Sequence, residues 1–178
     1  NSGVSSTGGN TALNADRTVT ISEDVSTTGT GTLTVSGNSN TGARNIVVNS
    51  GAIVSVVNGN MTFDADRGVG MSGNFAGIIV DGATIRSTGS GTITLEGRGG
   101  VDGTTGNHYG VVVANAAVVE ATGSGNLNLT GYGGTGTGVS EGVVVADANS
   151  RVTSFNGNVS ITGTGGTGGS FNQGVGLY

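Results

Sequence analysis

The sequence of 178 residues lacks four residue types, namely proline, cysteine, tryptophan and lysine. The absence of cysteine excludes a disulfide-stapled scaffold and thiolate-based zinc or iron–sulfur sites. With arginine as the only strong cation and a net charge of −5, no basic stripe exists to bind nucleic-acid phosphates or anionic lipids. No apolar run approaches the roughly 18 residues that a membrane span requires. We therefore expect no nucleic-acid partner and no membrane insertion.

Glycine is the feature that most distinguishes the composition. The chain has 38 glycines and only 10% charged residues. So much glycine is typical of disorder, but valine, isoleucine and leucine recur in tight clusters, so apolar burial remains available. This combination favours an ordered chain whose core is organised by something other than ordinary globular packing.

One short apolar string returns along the chain at nearly constant spacing. Its copies are Asn45-Ile-Val-Val48, Gly77-Ile-Ile-Val80, Gly110-Val-Val-Val113 and Gly142-Val-Val-Val145. A second string follows each of them, as Gly59-Asn-Met-Thr-Phe63, Gly91-Thr-Ile-Thr-Leu95, Gly125-Asn-Leu-Asn-Leu129 and Gly157-Asn-Val-Ser-Ile161, with an earlier copy at Gly31-Thr-Leu-Thr-Val35. Such self-similarity is the signature of a repeat architecture.

The second string alternates apolar and polar residues, which predicts a strand with one buried and one solvated face. The predicted inward positions are Leu33, Met61, Ile93, Leu127 and Val159, followed by Val35, Phe63, Leu95, Leu129 and Ile161. All ten are apolar, and the intervening residues are small and polar. A looser apolar stretch between the two strings contains Ile53, Ile85, Val119 and Val152. Each repeat therefore offers about three short strands.

Three short strands per repeat predict an all-β fold, a right-handed parallel β-helix with a repeat of about 32 residues. The remaining residues of each repeat are rich in glycine and predict one long loop that leaves every coil at the same corner. We expect a single segment over 1–178, with irregular first coils over 1–44 and clear repeats starting near 45, 77, 110, 142 and 174. Because the last repeat stops within a strand, we expect a longer array or end-to-end stacking of copies.

Two segments resemble a known family. Asn10-Thr-Ala-Leu-Asn-Ala-Asp-Arg-Thr-Val-Thr-Ile-Ser22 resembles the recurring leucine-asparagine-alanine-aspartate motif of filamentous haemagglutinin-like exoproteins, and Met61-Thr-Phe-Asp-Ala-Asp-Arg67 looks like a degenerate copy. The glycine- and threonine-rich later coils resemble repeats of giant bacterial surface proteins. The resemblance implies a secreted protein at the bacterial cell surface, within the β-helical shaft of an adhesin.

Few residues suggest site chemistry. His108 is the only histidine and lies in a glycine-rich segment, so we expect a solvated loop residue. Asp64 and Asp66 could share a face and help to bind calcium, the one cofactor considered, while charge balance with Arg67 is the alternative. The arginines are spread about one per coil, without the clustered carboxylates and bases of β-helical lyases and hydrolases. We expect no enzyme activity.

Two surface features leave alternatives open. Thr18-Val-Thr20, Thr32-Leu-Thr34 and Thr92-Ile-Thr94 could form an ice-binding face or simply a solvated one. The aromatic residues in or beside the loops are candidate contact residues for carbohydrate or a neighbouring fibre, or else they fasten the loops to the coil. They are Phe75, Tyr109, Tyr132 and Phe171.

These observations favour a structural role, as a segment of an extracellular bacterial fibre, stalk or adhesin shaft. Two alternatives remain from the sequence. The segment could polymerise end to end, or associate laterally, as a filament subunit. Its loops could instead bind carbohydrates or a cell surface.

Overall fold

The computed structural model describes residues 3–37, 43–66 and 70–178, which form 18 short β-strands in three parallel sheets. Each coil gives one strand to each sheet, so the strands of one sheet are separated by a whole turn of chain. The predicted parallel β-helix is confirmed. The described ranges contain no helix, and hence none long and apolar enough to cross a membrane.

The three sheets each contain six strands, which follow one another along the helix axis in chain order. The first sheet comprises β1 (Val4–Thr7), β4 (Val25–Thr28), β7 (Ile53–Val56), β10 (Thr84–Ser87), β13 (Val118–Ala121) and β16 (Arg151–Ser154). The second comprises β2 (Thr11–Ala15), β5 (Leu33–Gly37), β8 (Met61–Ala65), β11 (Ile93–Arg98), β14 (Leu127–Tyr132) and β17 (Val159–Thr164). The third comprises β3 (Thr18–Ile21), β6 (Asn45–Val48), β9 (Ile78–Asp81), β12 (Val111–Ala114), β15 (Val143–Val145) and β18 (Val175–Leu177).

The two repeated strings occupy the second and third sheets in the predicted register. In the second sheet, Met61 pairs with both Leu33 and Ile93, and the column continues through Leu127 to Val159. The looser apolar stretch forms the first sheet, where Ile85 pairs with Val54 and with Val119.

The inward side chains form a single dry core along the axis. Eight of the ten inward positions predicted for the second sheet are buried, namely Leu33, Met61, Ile93, Leu127, Val35, Phe63, Leu95 and Leu129. The other two lie on β17, the edge strand of the sheet, where Val159 is 44% exposed and Ile161 is partly buried. Each fully buried side chain of this size contributes about 1.5 to 3 kcal/mol.

The corner between the first and second sheets is built from a column of glycines. They are Gly31, Gly59, Gly91, Gly125 and Gly157. A Cβ atom added at any of them would lie 1.8 to 2.2 Å from the carbonyl oxygen of the glycine one coil earlier. The repeated glycine of the second string is therefore fixed by a close approach along the axis rather than by a turn.

Asparagine side chains reinforce the same corner from outside. The amide oxygen of Asn60 accepts a hydrogen bond from the backbone N–H of Thr92 at 3.0 Å, and that of Asn126 accepts from Asn158 at 2.8 Å. These bonds run along the axis and satisfy backbone donors in positions that precede the strands.

The long loops lie between the second and third sheets, as predicted, at residues 99–110, 133–142 and 165–174, with a further one before β9. The prediction of a long loop in every coil is wrong for the first coil, where only Asp16 and Arg17 connect β2 to β3. The core accepts either connection because the strands on both sides keep their register.

The three Thr-x-Thr segments do not share one surface. Thr34 and Thr94 lie on the second sheet, whereas Thr18 and Thr20 lie on β3 of the third sheet. On the second sheet Thr62 lies between Thr34 and Thr94, so three threonines follow one another along the axis.

We expect Gly91→Ala to lower the free energy of unfolding by about 2 to 3 kcal/mol, because its methyl group must displace the backbone of the preceding coil. Gly51→Ala is the matched control, since Gly51 has a φ of 86° but no atom within 4 Å of an added Cβ. That variant should lose only about 1 kcal/mol from backbone strain. Urea unfolding followed by circular dichroism measures both, and equal losses would contradict the axial-contact explanation.

Candidate functional site

The long loops form an ordered structure, which we call the loop stack, from residues 99–110, 133–142 and 165–174. Val101, Thr135 and Thr167 pair in parallel on its outgoing arm, and Asn107, Val139 and Phe171 pair in the same way on its returning arm. The two arms are also joined, since the Gly134 N–H donates to the His108 carbonyl at 2.8 Å. The loops thus continue the axial hydrogen bonding of the sheets and separate the outer faces of the second and third sheets.

His108 lies inside the loop stack and is 0% exposed, so the prediction of a solvated histidine is wrong. Its Nε2 lies 3.4 Å from both the Thr104 carbonyl oxygen and the Asp102 carboxylate. Gly136 of the next loop makes room for the ring, because a Cβ there would lie 2.2 Å from it. The absence of a side chain at Gly136 therefore leaves the space that the His108 ring fills, although a glycine-rich segment suggested a solvated loop.

The carboxylate of Asp102 caps the turn beside this histidine. It accepts hydrogen bonds from the backbone N–H and the hydroxyl of Thr104, at 2.9 and 2.8 Å. These two bonds, with a smaller contribution from His108, lower the pKa of Asp102 below its ordinary value. The cluster fixes the loop from within.

On the second-sheet side of the loop stack, Arg98 contacts Asp66 of the preceding coil and Tyr132 of the following coil. The Asp66 carboxylate accepts from Arg98 Nε at 2.6 Å and from Arg98 Nη2 at 3.1 Å. The Arg98 guanidinium carbon in turn lies 4.1 Å from the centroid of the Tyr132 ring. Tyr132, a candidate contact residue, therefore stacks on an arginine in this structure.

The candidate calcium residues Asp64 and Asp66 do lie near each other, since the Asp64 carboxylate accepts the Asp66 N–H at 3.0 Å. Arg98 neutralises Asp66, while the predicted charge balance with Arg67 falls outside the described residues. Among the residues that the structure describes, no group of three or more histidine, aspartate or glutamate side chains is placed to hold a metal ion.

Glu96 stands beside Asp64 in the same outward column. Burial, and then the negative charges of Asp66 and Asp64, raise the pKa of Glu96, and Arg98 offsets part of that rise. Acidic residues at equivalent positions of adjacent coils therefore repel each other, because the coils bring their carboxylates close together.

The third-sheet side of the loop stack carries a groove of about 370 Å³. Its floor is formed by the outward side chains of Ile79, Val112 and Ala114. The rings of Phe75 and Tyr109, both half-buried, line the wall beside the loops. Of the four candidate aromatic residues, the structure brings these two together.

Polar side chains line both rims of the groove. Asn74 and Asn107 lie on the loop side, and Asp81 and Asn115 lie on the opposite side. The Asn115 amide donates to the Asp81 carboxylate at 2.5 Å, and the backbone N–H of Asn115 donates to the Asp147 carboxylate at 3.1 Å. Asn115 has a φ of 59°, a left-handed conformation that asparagine tolerates better than most residues.

The groove ends at the next coil. There Glu141 occupies the position equivalent to Tyr109, and the hydroxyl of Tyr178 donates to its carboxylate. Burial, and then the charge of Glu141, raise the pKa of Tyr109. The remaining candidate, Phe171, is 55% exposed on the returning arm of the last loop, away from the groove.

The groove could not be predicted from the aromatic residues of the loops alone, because its floor consists of outward side chains of the third sheet. Its signal was the lack of alternation in the first string, where three consecutive apolar residues such as Val111-Val-Val113 leave one side chain on the outer face. The rim residues Asp81 and Asn115 had no signal of their own, because their contact depends on register between coils.

Compared with protein-family models, curated proteins and solved structures, the chain matches none of them.

We expect Arg98→Ala to cost about 2 kcal/mol of unfolding free energy, because it removes the bidentate partner of an Asp66 side chain that is only 4% exposed. Arg151→Ala is the matched control, since Arg151 is 52% exposed and lies 3.7 Å from Glu120. That variant should cost less than about 1 kcal/mol. Urea unfolding of both variants checks the difference, and similar losses would argue against the Asp66–Arg98–Tyr132 stack.

Glu96→Gln should stabilise the protein at pH 7 by less than about 1 kcal/mol, given the solvent screening at this site. Folding raises the pKa of Glu96, so its ionised form destabilises the fold, and stability falls as pH rises above the ordinary value of 4.5. Below that value the carboxyl is protonated in both states and the variant should gain little. Thermal melts at pH 3.5 and pH 7 measure the two differences, and an equal gain at both would rule out a charge effect.

Proposed function

We propose that this chain is a rigid structural segment of an extracellular bacterial surface fibre or adhesin shaft, with no enzymatic role. The observation that carries the proposal is the unbroken axial ladder, in which all three sheets pair strand to strand through every coil. In a solenoid of this kind each coil contacts only the coils before and after it, and each added coil lengthens the rod by about 4.8 Å. Such a chain is therefore suited to span a distance.

The resemblance of Asn10–Ser22 to the motif of filamentous haemagglutinin-like exoproteins supports the extracellular setting. In the structure, Leu13 of that motif points toward the core and pairs with Val35, while Asn14 points outward and accepts a hydrogen bond from Ser36 at 2.6 Å. The motif therefore supplies one core residue and one axial hydrogen bond per strand, which is what a shaft repeat requires.

A second candidate is a filament subunit that associates with further copies end to end or laterally. The stacking of coils through parallel strand pairing along the axis supports it, because the same pairing could join one copy to the next.

Electron microscopy of the native material, combined with the mass of its intact polypeptide, tests both candidates. Long thin fibres with a mass far above 17.1 kDa are expected for a shaft built by one chain. Fibres from a chain of 17.1 kDa would instead support assembly from copies. Isolated particles with the mass of one such chain would contradict the fibre role.

A further inference from the structure

The groove on the outer face of the third sheet combines three properties that a small-molecule site requires. It is concave, its volume of about 370 Å³ lies toward the lower end of the range for ligand pockets, and it is mainly apolar with a few polar groups at the rim. The groove is also supported on both sides, because residues 74–76 and the loop stack form one wall and the corner after β9 and β12 forms the other.

The apolar part of the groove suits the C–H faces of a sugar ring. Phe75 and Tyr109 offer two aromatic rings on one wall, and Ile79 and Val112 offer an aliphatic floor. Aromatic side chains provide a large, rigid apolar surface at little conformational cost, and the Tyr109 hydroxyl adds a polar end. A flat ligand with one apolar face would bury that face in this groove.

The polar part suits neighbouring hydroxyl groups. Amide side chains both donate and accept hydrogen bonds, and a carboxylate accepts them, so Asp81 and Asn115 together can engage two hydroxyls of one ring. Their mutual hydrogen bond of 2.5 Å holds them side by side before a ligand arrives. Such preorganisation reduces the entropy lost on binding.

The charge of the groove selects against anions. Within the described part of the chain its lining includes the carboxylate of Asp81 but no arginine, and the sequence has no lysine. A uronic acid, sulfate or phosphate would meet a negative rim without a cation to offset it. We propose that this groove binds a neutral carbohydrate, a mono- or disaccharide unit of a larger glycan, between Phe75 and Tyr109 on one wall and Asp81 and Asn115 on the other. The proposal does not rest on the shaft role.

The test is binding of the full 178-residue chain to an array of immobilised neutral oligosaccharides and, in parallel, acidic ones. Any neutral hit is then titrated by calorimetry. We expect the chain to bind neutral sugars, and Phe75→Ala or Tyr109→Ala to weaken that binding about tenfold. Ala114→Arg, which fills the floor from an outward position on β12, should abolish it without disturbing the core.

Phe171→Ala is the matched control, because it removes an exposed aromatic residue of the same loop stack outside the groove. It should bind as the unmodified chain does, and circular dichroism should show all variants folded. The proposal is overturned if no neutral sugar binds, if acidic glycans or extended peptides bind instead, or if Ala114→Arg leaves binding intact. Equal weakening by Phe171→Ala would also overturn it, by placing the contact on the loops.

Discussion

The whole structure depends on one spacing, the separation of about 4.8 Å between hydrogen-bonded strands of adjacent coils. At that distance each strand residue lies almost directly above its equivalent one coil earlier, so every strand position belongs to a column and must be compatible with its own neighbours. Apolar residues form continuous columns such as Leu33, Met61, Ile93 and Leu127. Because bonding runs along the axis, the residues between strands are under the same constraint as those within them.

Glycine shows this constraint most clearly. At Gly59 an added Cβ would lie 1.8 Å from the Gly31 carbonyl oxygen, and at Gly134 it would lie 1.8 Å from that of Gly100. One of these positions is at a corner of the coil and the other is in the loop stack, yet the geometry is the same. The high glycine content is therefore a consequence of close axial approach in an ordered chain, and composition alone would have suggested disorder.

Sequence reasoning could obtain the fold because the columns are visible as repeated strings. The alternation in Gly91-Thr-Ile-Thr-Leu95 gives the inward face, and the return of that string gives the register between coils. It failed for His108 because a glycine-rich loop is ordinarily solvated, whereas in this chain the glycine of the neighbouring loop opens a cavity that the ring fills. The contact of Asp81 with Asn115 was equally hidden, since the two residues are 34 positions apart in the chain.

The constraint that builds the rod also determines where the chain can depart from the repeat. An inward residue of the third sheet is held by two coils and the core, and its column stays apolar from Ile46 through Ile78 and Val111 to Val143. A residue outside the core is held only by its neighbours along the axis. The column from Ala76 through Tyr109 to Glu141 therefore changes chemistry at each coil while the backbone beneath it continues its ladder. A groove such as the one beside Phe75 and Tyr109 can therefore form outside the core while the axial ladder continues unchanged.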